Sequence, residues 1–182
     1  MAVTKKDQRL IINKVFILLG TVAVLVMLVA GGLAWKAYTF ATSQVRTGLS
    51  EQNIYFPTTG PKFTAEEYPT LQKYSGQLVD NGDKAKAYAN DYIGEHLTKI
   101  AAGKTYAEVS TLAMANPTDK ALQTQKATLF QGETLRGLLL TAGYSYWTMG
   151  MIARDAALVF FVGAALVAVG VAYCAMRVYR KR

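Results

Sequence analysis

VFILLGTVAVLVMLVAGGLAW, residues 15–35, is an uncharged run of 21 residues held between Lys14 and Lys36. At 1.5 Å of rise per residue a helix of that length reaches roughly 31 Å, the thickness of a bilayer's hydrocarbon layer. Its Val, Leu, Ile and Phe side chains favour insertion by roughly 4 to 7 kcal/mol. A second uncharged run of 21 residues, 156–176, lies between Asp155 and Arg177, and its large apolar side chains favour insertion by roughly 3 to 5 kcal/mol. The apolar core of the first run exceeds the 7–15 residues of a typical signal peptide, so an uncleaved anchor is expected despite the small-residue sequence Gly32-Leu33-Ala34.

Charge sets the expected orientation. Of the net +8, the tails 1–14 and 177–182 hold +7, while residues 36–155 carry 12 basic and 11 acidic side chains. Cationic clusters beside both spans mark cytoplasmic flanks, which places both termini inside and the middle outside. A nucleic-acid binder would carry its basic residues on the folded domain, so no nucleic-acid partner is expected. The uncharged stretch 137–153 does not qualify as a third span. Only Leu138, Leu139, Leu140 and Ile152 are strongly apolar, and a third crossing would put residues 177–182 on the wrong side. It reads as an interfacial or buried helix leading into the second span, with Tyr144, Tyr146 and Trp147 at headgroup level or in the domain core. The single cysteine, Cys174, lies in the second span, so the middle region must fold by burial without disulfides.

Trp35, Tyr38 and Phe40 form an aromatic collar at the outer end of the first span, and Tyr173 and Tyr179 mark the inner end of the second. Gly20, Ala23, Ala30 and Ala34 in one span and Ala164, Ala168, Ala172 and Ala175 in the other recur at spacings that let helices approach closely, on each other or on a partner. Residues 43–63 turn polar with Pro57, Gly60 and Pro61 and read as a linker or extended arm, laid against something apolar through Tyr55, Phe56 and Phe63. Thr64-Ala65-Glu66-Glu67 has capping-box form, and Tyr68, Leu71, Ser75 and Leu78 trace one face of an expected helix. A turn follows at Asp80-Asn81-Gly82-Asp83. Ala85, Tyr88, Ala89, Tyr92, Ile93, His96, Leu97 and Ile100 give the strongest helical period in the middle region, ended by Gly103. Thr105-Tyr106-Ala107-Glu108 opens another helix that Asn116-Pro117 closes, and the pattern from Thr118 onward continues toward the second span, with Gly132, Gly137 and Gly143 as possible bends.

Little chemistry survives inspection. Gly103-Lys104-Thr105 lacks the earlier glycine of a phosphate loop, since position 98 is Thr. His96 is the only histidine, lies on the Tyr88/Tyr92 stripe and is expected to be partly buried; neither a nucleophile nor a second metal ligand accompanies it. Asp91 and Glu95 share a helix face that offers an acid-base pair or two calcium ligands, and Glu95 can equally pair with Lys99 at i+4, the commoner surface arrangement. Glu133, Arg136, Arg154 and Asp155 flank an apolar, aromatic segment and are expected to form ion pairs or to contact headgroups or a partner.

The motifs Phe56-Pro57, Tyr68-Pro69, Lys84-Ala85-Lys86-Ala87-Tyr88-Ala89, Gly103-Lys104-Thr105-Tyr106-Ala107, Ala115-Asn116-Pro117-Thr118 and the run from Gly132 to Leu140 together resemble a family of two-pass membrane proteins of actinobacteria. The resemblance implies a plasma-membrane protein of a Gram-positive cell with no established activity. An aromatic ring-opening dioxygenase label travels with such proteins, but one histidine cannot build the iron site that this chemistry needs.

The expected protein is therefore an all-α membrane protein, with two transmembrane helices (15–35 and 156–176), a linker (36–63) and a small helical extracytoplasmic domain (64–155). No enzymatic activity and no cofactor are expected. The partners are the lipid bilayer and a membrane protein or a second copy of the chain. The function expected is that of an interaction module or accessory subunit of a cell-envelope complex, or alternatively of a lipid or small-ligand sensor. Contact is expected at Tyr88, Tyr92, His96, Glu133, Arg136, Tyr144, Trp147, Arg154 and Asp155.

Overall fold

The computed structural model describes residues 5–180, with side chains from Gln8 onward. The tail charges at Lys5, Lys6, Lys181 and Arg182 lie outside what is described. Every regular element among the described residues is helical: α1 (Lys5–Glu51), a 3₁₀ turn (Gln72–Tyr74), α2 (Gly82–Ala87), the π-helical segment π1 (Tyr88–Gly94), α3 (Glu95–Ile100), α4 (Tyr106–Ala115), α5 (Lys120–Leu138), the π-helical segment π2 (Leu139–Ser145) and α6 (Tyr146–Tyr179). Two of the helices are long and apolar enough to cross a membrane. The chain divides into two compact units, one of residues 1–39 with 150–182 and one of residues 40–149.

In the first unit α1 and α6 pack antiparallel through small residues. A Cβ placed on Gly31 would lie 2.8 Å from the Phe161 ring and one on Gly163 would lie 3.0 Å from Met27 Cε, while Gly20 sits directly against Val171. Ala157 and Ala164 are buried between the helices. The expected pairing through small residues therefore holds, with a correction to its membership. Gly20 and Ala164 belong to the contact, but Ala23 and Ala172 face outward, and Gly31 and Gly163 join Gly20 at the close approaches. Outside this seam Phe16, Leu18, Val26, Val29, Val159 and Leu166 are exposed, the reverse of a water-soluble helix pair.

In the second unit, residues 43–51 are not a linker. They are the last turns of α1, because Val45 and Leu49, one helical step apart, drop into the core, and that burial outweighs the polar composition. Beyond α1 the chain is irregular but anchored. Phe56 and Phe63 are each 1% exposed, as the expected apolar contact requires, while Tyr55 points out. The expected helix after Thr64 is also absent. The Thr64 hydroxyl does accept the Glu67 N–H at 3.2 Å, but Pro69 follows, and the Gln72 side-chain amide, donating to the Thr64 and Tyr68 carbonyls, ties the segment into turns that Gly76 ends at φ +68°. Asn81 belongs to no isolated turn, since its side chain accepts from Lys84 N–H and caps α2. Around this segment an aromatic row forms: Tyr74 on Phe56 at 5.1 Å, Phe56 on Tyr88 at 5.2 Å, Tyr88 on Tyr92 at 5.0 Å, and Tyr92 on Tyr68 at 5.6 Å between ring centroids. Such offset and edge contacts stabilise by about 0.5 to 1.5 kcal/mol each beyond area burial.

The later helix boundaries follow the sequence signals. Gly103 (φ +78°) ends the helical stretch after Ile100, Thr105 and Glu108 form a reciprocal capping box, and α4 stops at Ala115 before Asn116-Pro117. Gly132, Gly137 and Gly143 do not break the chain into separate helices: α5, π2 and α6 follow one another without a gap.

Close packing at Gly31 and open space around Gly32 define a paired test of the seam. Gly31→Leu is expected to destabilise the detergent-solubilised protein by about 1 to 3 kcal/mol, the usual range for overpacking. Gly32→Leu, next to it with nothing within 4 Å of its Cβ position, should leave thermal unfolding followed by circular dichroism unchanged or slightly later.

Candidate functional site

In the second unit a broad, open hollow lies along the start of α5, from Asp119 to Thr128 beside Ile100, and a smaller apolar groove of about 440 Å³ lies between the end of α1 and the helical stretch from α5 into π2. Gln44, Gly48 and Gln52, each one helical step from the next, form one edge, and Val45 and Leu49 its floor. Leu135, Leu138, Ala142 and Tyr146 form the other edge, and Ile54 lines the groove where the chain leaves α1. Across the floor Gly143 comes close to Leu49, with a Cβ position 3.6 Å from its Cδ2.

The groove is straight because of π2. Eight residues of α-helix would swing Tyr146 roughly 80° away from Leu138. The wider turn of the π segment holds Leu138, Ala142 and Tyr146 nearer one line. The Ser145 hydroxyl donates to the Leu140 carbonyl at 2.9 Å, satisfying an acceptor inside this irregular stretch. Leu138 is 60% exposed and Tyr146 55%, so the groove presents apolar surface to whatever lies beside it.

The residues expected to make contacts are distributed differently. Tyr88 and Tyr92 are packed in the aromatic row, where burial, followed by the neighbouring Tyr92, pushes the Tyr88 hydroxyl's pKa up. His96 is exposed rather than partly buried. The reason is π1, which keeps Ala85, Ala89, Ile93, Leu97 and Ala101 on the core side and turns His96 out. Glu133 and Arg136 do pair, at 3.4 Å, and Arg136 Nη2 donates to Asn90 Oδ1 at 3.3 Å, while its buried Nε has no partner. Lys86 sits 4.6 Å from the centroid of the Tyr144 ring. Trp147 fills the space left by the missing side chain of Gly82, with Arg46 6.0 Å from its ring centroid. Arg154 and Asp155 form an ion pair at 2.8 Å in the other unit. None of these nine residues lines the groove; among them Tyr88 contacts Tyr92, Glu133 pairs with Arg136 and Arg154 pairs with Asp155.

One further expectation changes. Lys99 pairs with Glu67, not with Glu95, and lies 5.3 Å from the Tyr68 ring centroid. The loop that replaces the expected helix brings Glu67 to α3. No cluster of three His, Cys, Asp or Glu side chains is found among the described residues. Gly103-Lys104-Thr105 is a helix stop and a cap, as its sequence predicts. Sequence reading missed Gly48, assigned to a linker, and Ala142; Leu138 is visible as the start of the apolar run to Leu140, and Leu135 stands between Glu133 and Arg136 with no role assigned to it. No family model, curated protein or solved structure matches the chain, and the actinobacterial resemblance rests on the sequence motifs alone.

The ionisable contacts carry a pH signature. The hydrogen bond from Lys99 holds the Glu67 carboxyl below the usual carboxylate range, and the Thr105 backbone N–H and hydroxyl do the same for Glu108. A carboxyl whose folded pKa is depressed contributes stability above its unfolded value, about 4.3, and that contribution fades as the pH falls through the lower folded value. Glu67→Gln is therefore expected to flatten the acid limb of the stability profile below about pH 4.3, in thermal melts between neutral and acidic pH. Thr105→Ala removes a cap and should cost about 1 kcal/mol at neutral pH in the same assay.

Proposed function

We propose that this chain is a two-pass plasma-membrane protein with both termini cytoplasmic, and that its middle region is an extracytoplasmic interaction module, an accessory subunit of a cell-envelope complex. The observation that carries the reading is the groove. Leu135, Leu138 and Tyr146 leave apolar surface open side by side along it, and such surface marks a contact site. Support for insertion comes from the outward-facing apolar side chains of α1 and α6 and from the cationic residues flanking them. The same groove favours a second reading, lipid or small-ligand binding, because its volume lies within the range of small-molecule sites, about 300 to 1,000 Å³.

The topology is tested by placing a cysteine at Thr58 in a Cys174→Ser background. Thr58→Cys should react in intact cells with a maleimide that cannot cross membranes, and protection there would remove the extracytoplasmic assignment. For the interaction reading, extraction in a gentle detergent should show the protein migrating with other components at a constant ratio. Migration as a lone monomer would count against it.

A further inference from the structure

We draw no further inference here: the strongest candidate, the apolar groove between the end of α1 and the helical stretch from α5 into π2, carries nothing beyond the proposed function, because nothing in the structure shows what covers it.

Discussion

The second unit depends on a mismatch between two periods. Ala85, Ala89, Ile93, Leu97 and Ala101 are all buried and recur every fourth residue. An ordinary α-helix has 3.6 residues per turn, so sixteen residues at that spacing would wander roughly 160° around its surface and carry one end of the row into solvent. The i→i+5 bonding of π1 sits in the middle of this stretch and takes back most of the drift. The same solution recurs at π2, where buried Leu139 and Gly143 are again four apart. Gly143 approaches Ala85, with a Cβ position 2.9 Å from the alanine's, so the second π segment packs directly against the helix that leads into the first. A side chain at Gly143 would force these elements apart.

From this register follow both the packed and the open parts of the unit. On the packed side, Tyr88 and Tyr92 meet Phe56, Phe63 and Tyr68, and the irregular chain between α1 and α2 is held by these ring contacts together with a short antiparallel pairing in which Phe56 N–H donates to the Gln77 carbonyl at 2.9 Å and Val79 N–H to the Ile54 carbonyl at 2.8 Å. Lys99 completes that side by reaching Glu67, and the pair is exposed, so its contribution is small beside the burial of the rings. On the open side, π2 lines up Leu138, Ala142 and Tyr146 facing the last turns of α1. The groove is thus a consequence of how the core is registered, and it needs no catalytic or charged group to exist.

The sequence reveals those features that are written in local chemistry. The two long apolar helices, the caps at Thr105 and Gly103, the stop at Asn116-Pro117 and the closeness of Gly20 and Ala164 follow from residue type and spacing. What stayed hidden depends on long-range contact. Residues 43–51 look polar, yet two side chains, Val45 and Leu49, suffice to keep them helical once the core is present. Thr64-Ala65-Glu66-Glu67 carries a true capping signal, but the bond it predicts closes a turn because the downstream carbonyls are taken by Gln72. His96 was placed on the core face by a correct α-helical count, and the π segment makes that count wrong. A π segment has no sequence signature as plain as a proline or a capping box, and both the exposure of His96 and the line of the groove pass through one.

Glycine carries opposite meanings in the two units. At Gly31 and Gly163 its lack of a side chain is filled by Phe161 and Met27, and helix packing recovers what glycine loses in helix propensity. Gly48 sits in a helix with no neighbour at its Cβ position, a condition shared with Gly32, Gly137 and Gly170. Glycine in a helix interior costs about 1 kcal/mol relative to alanine, and at these four positions no contact within the chain offsets it. Of the four only Gly48 lies on the groove. There the absent side chain leaves a slot beside Leu138 and Ala142 that any larger residue would fill.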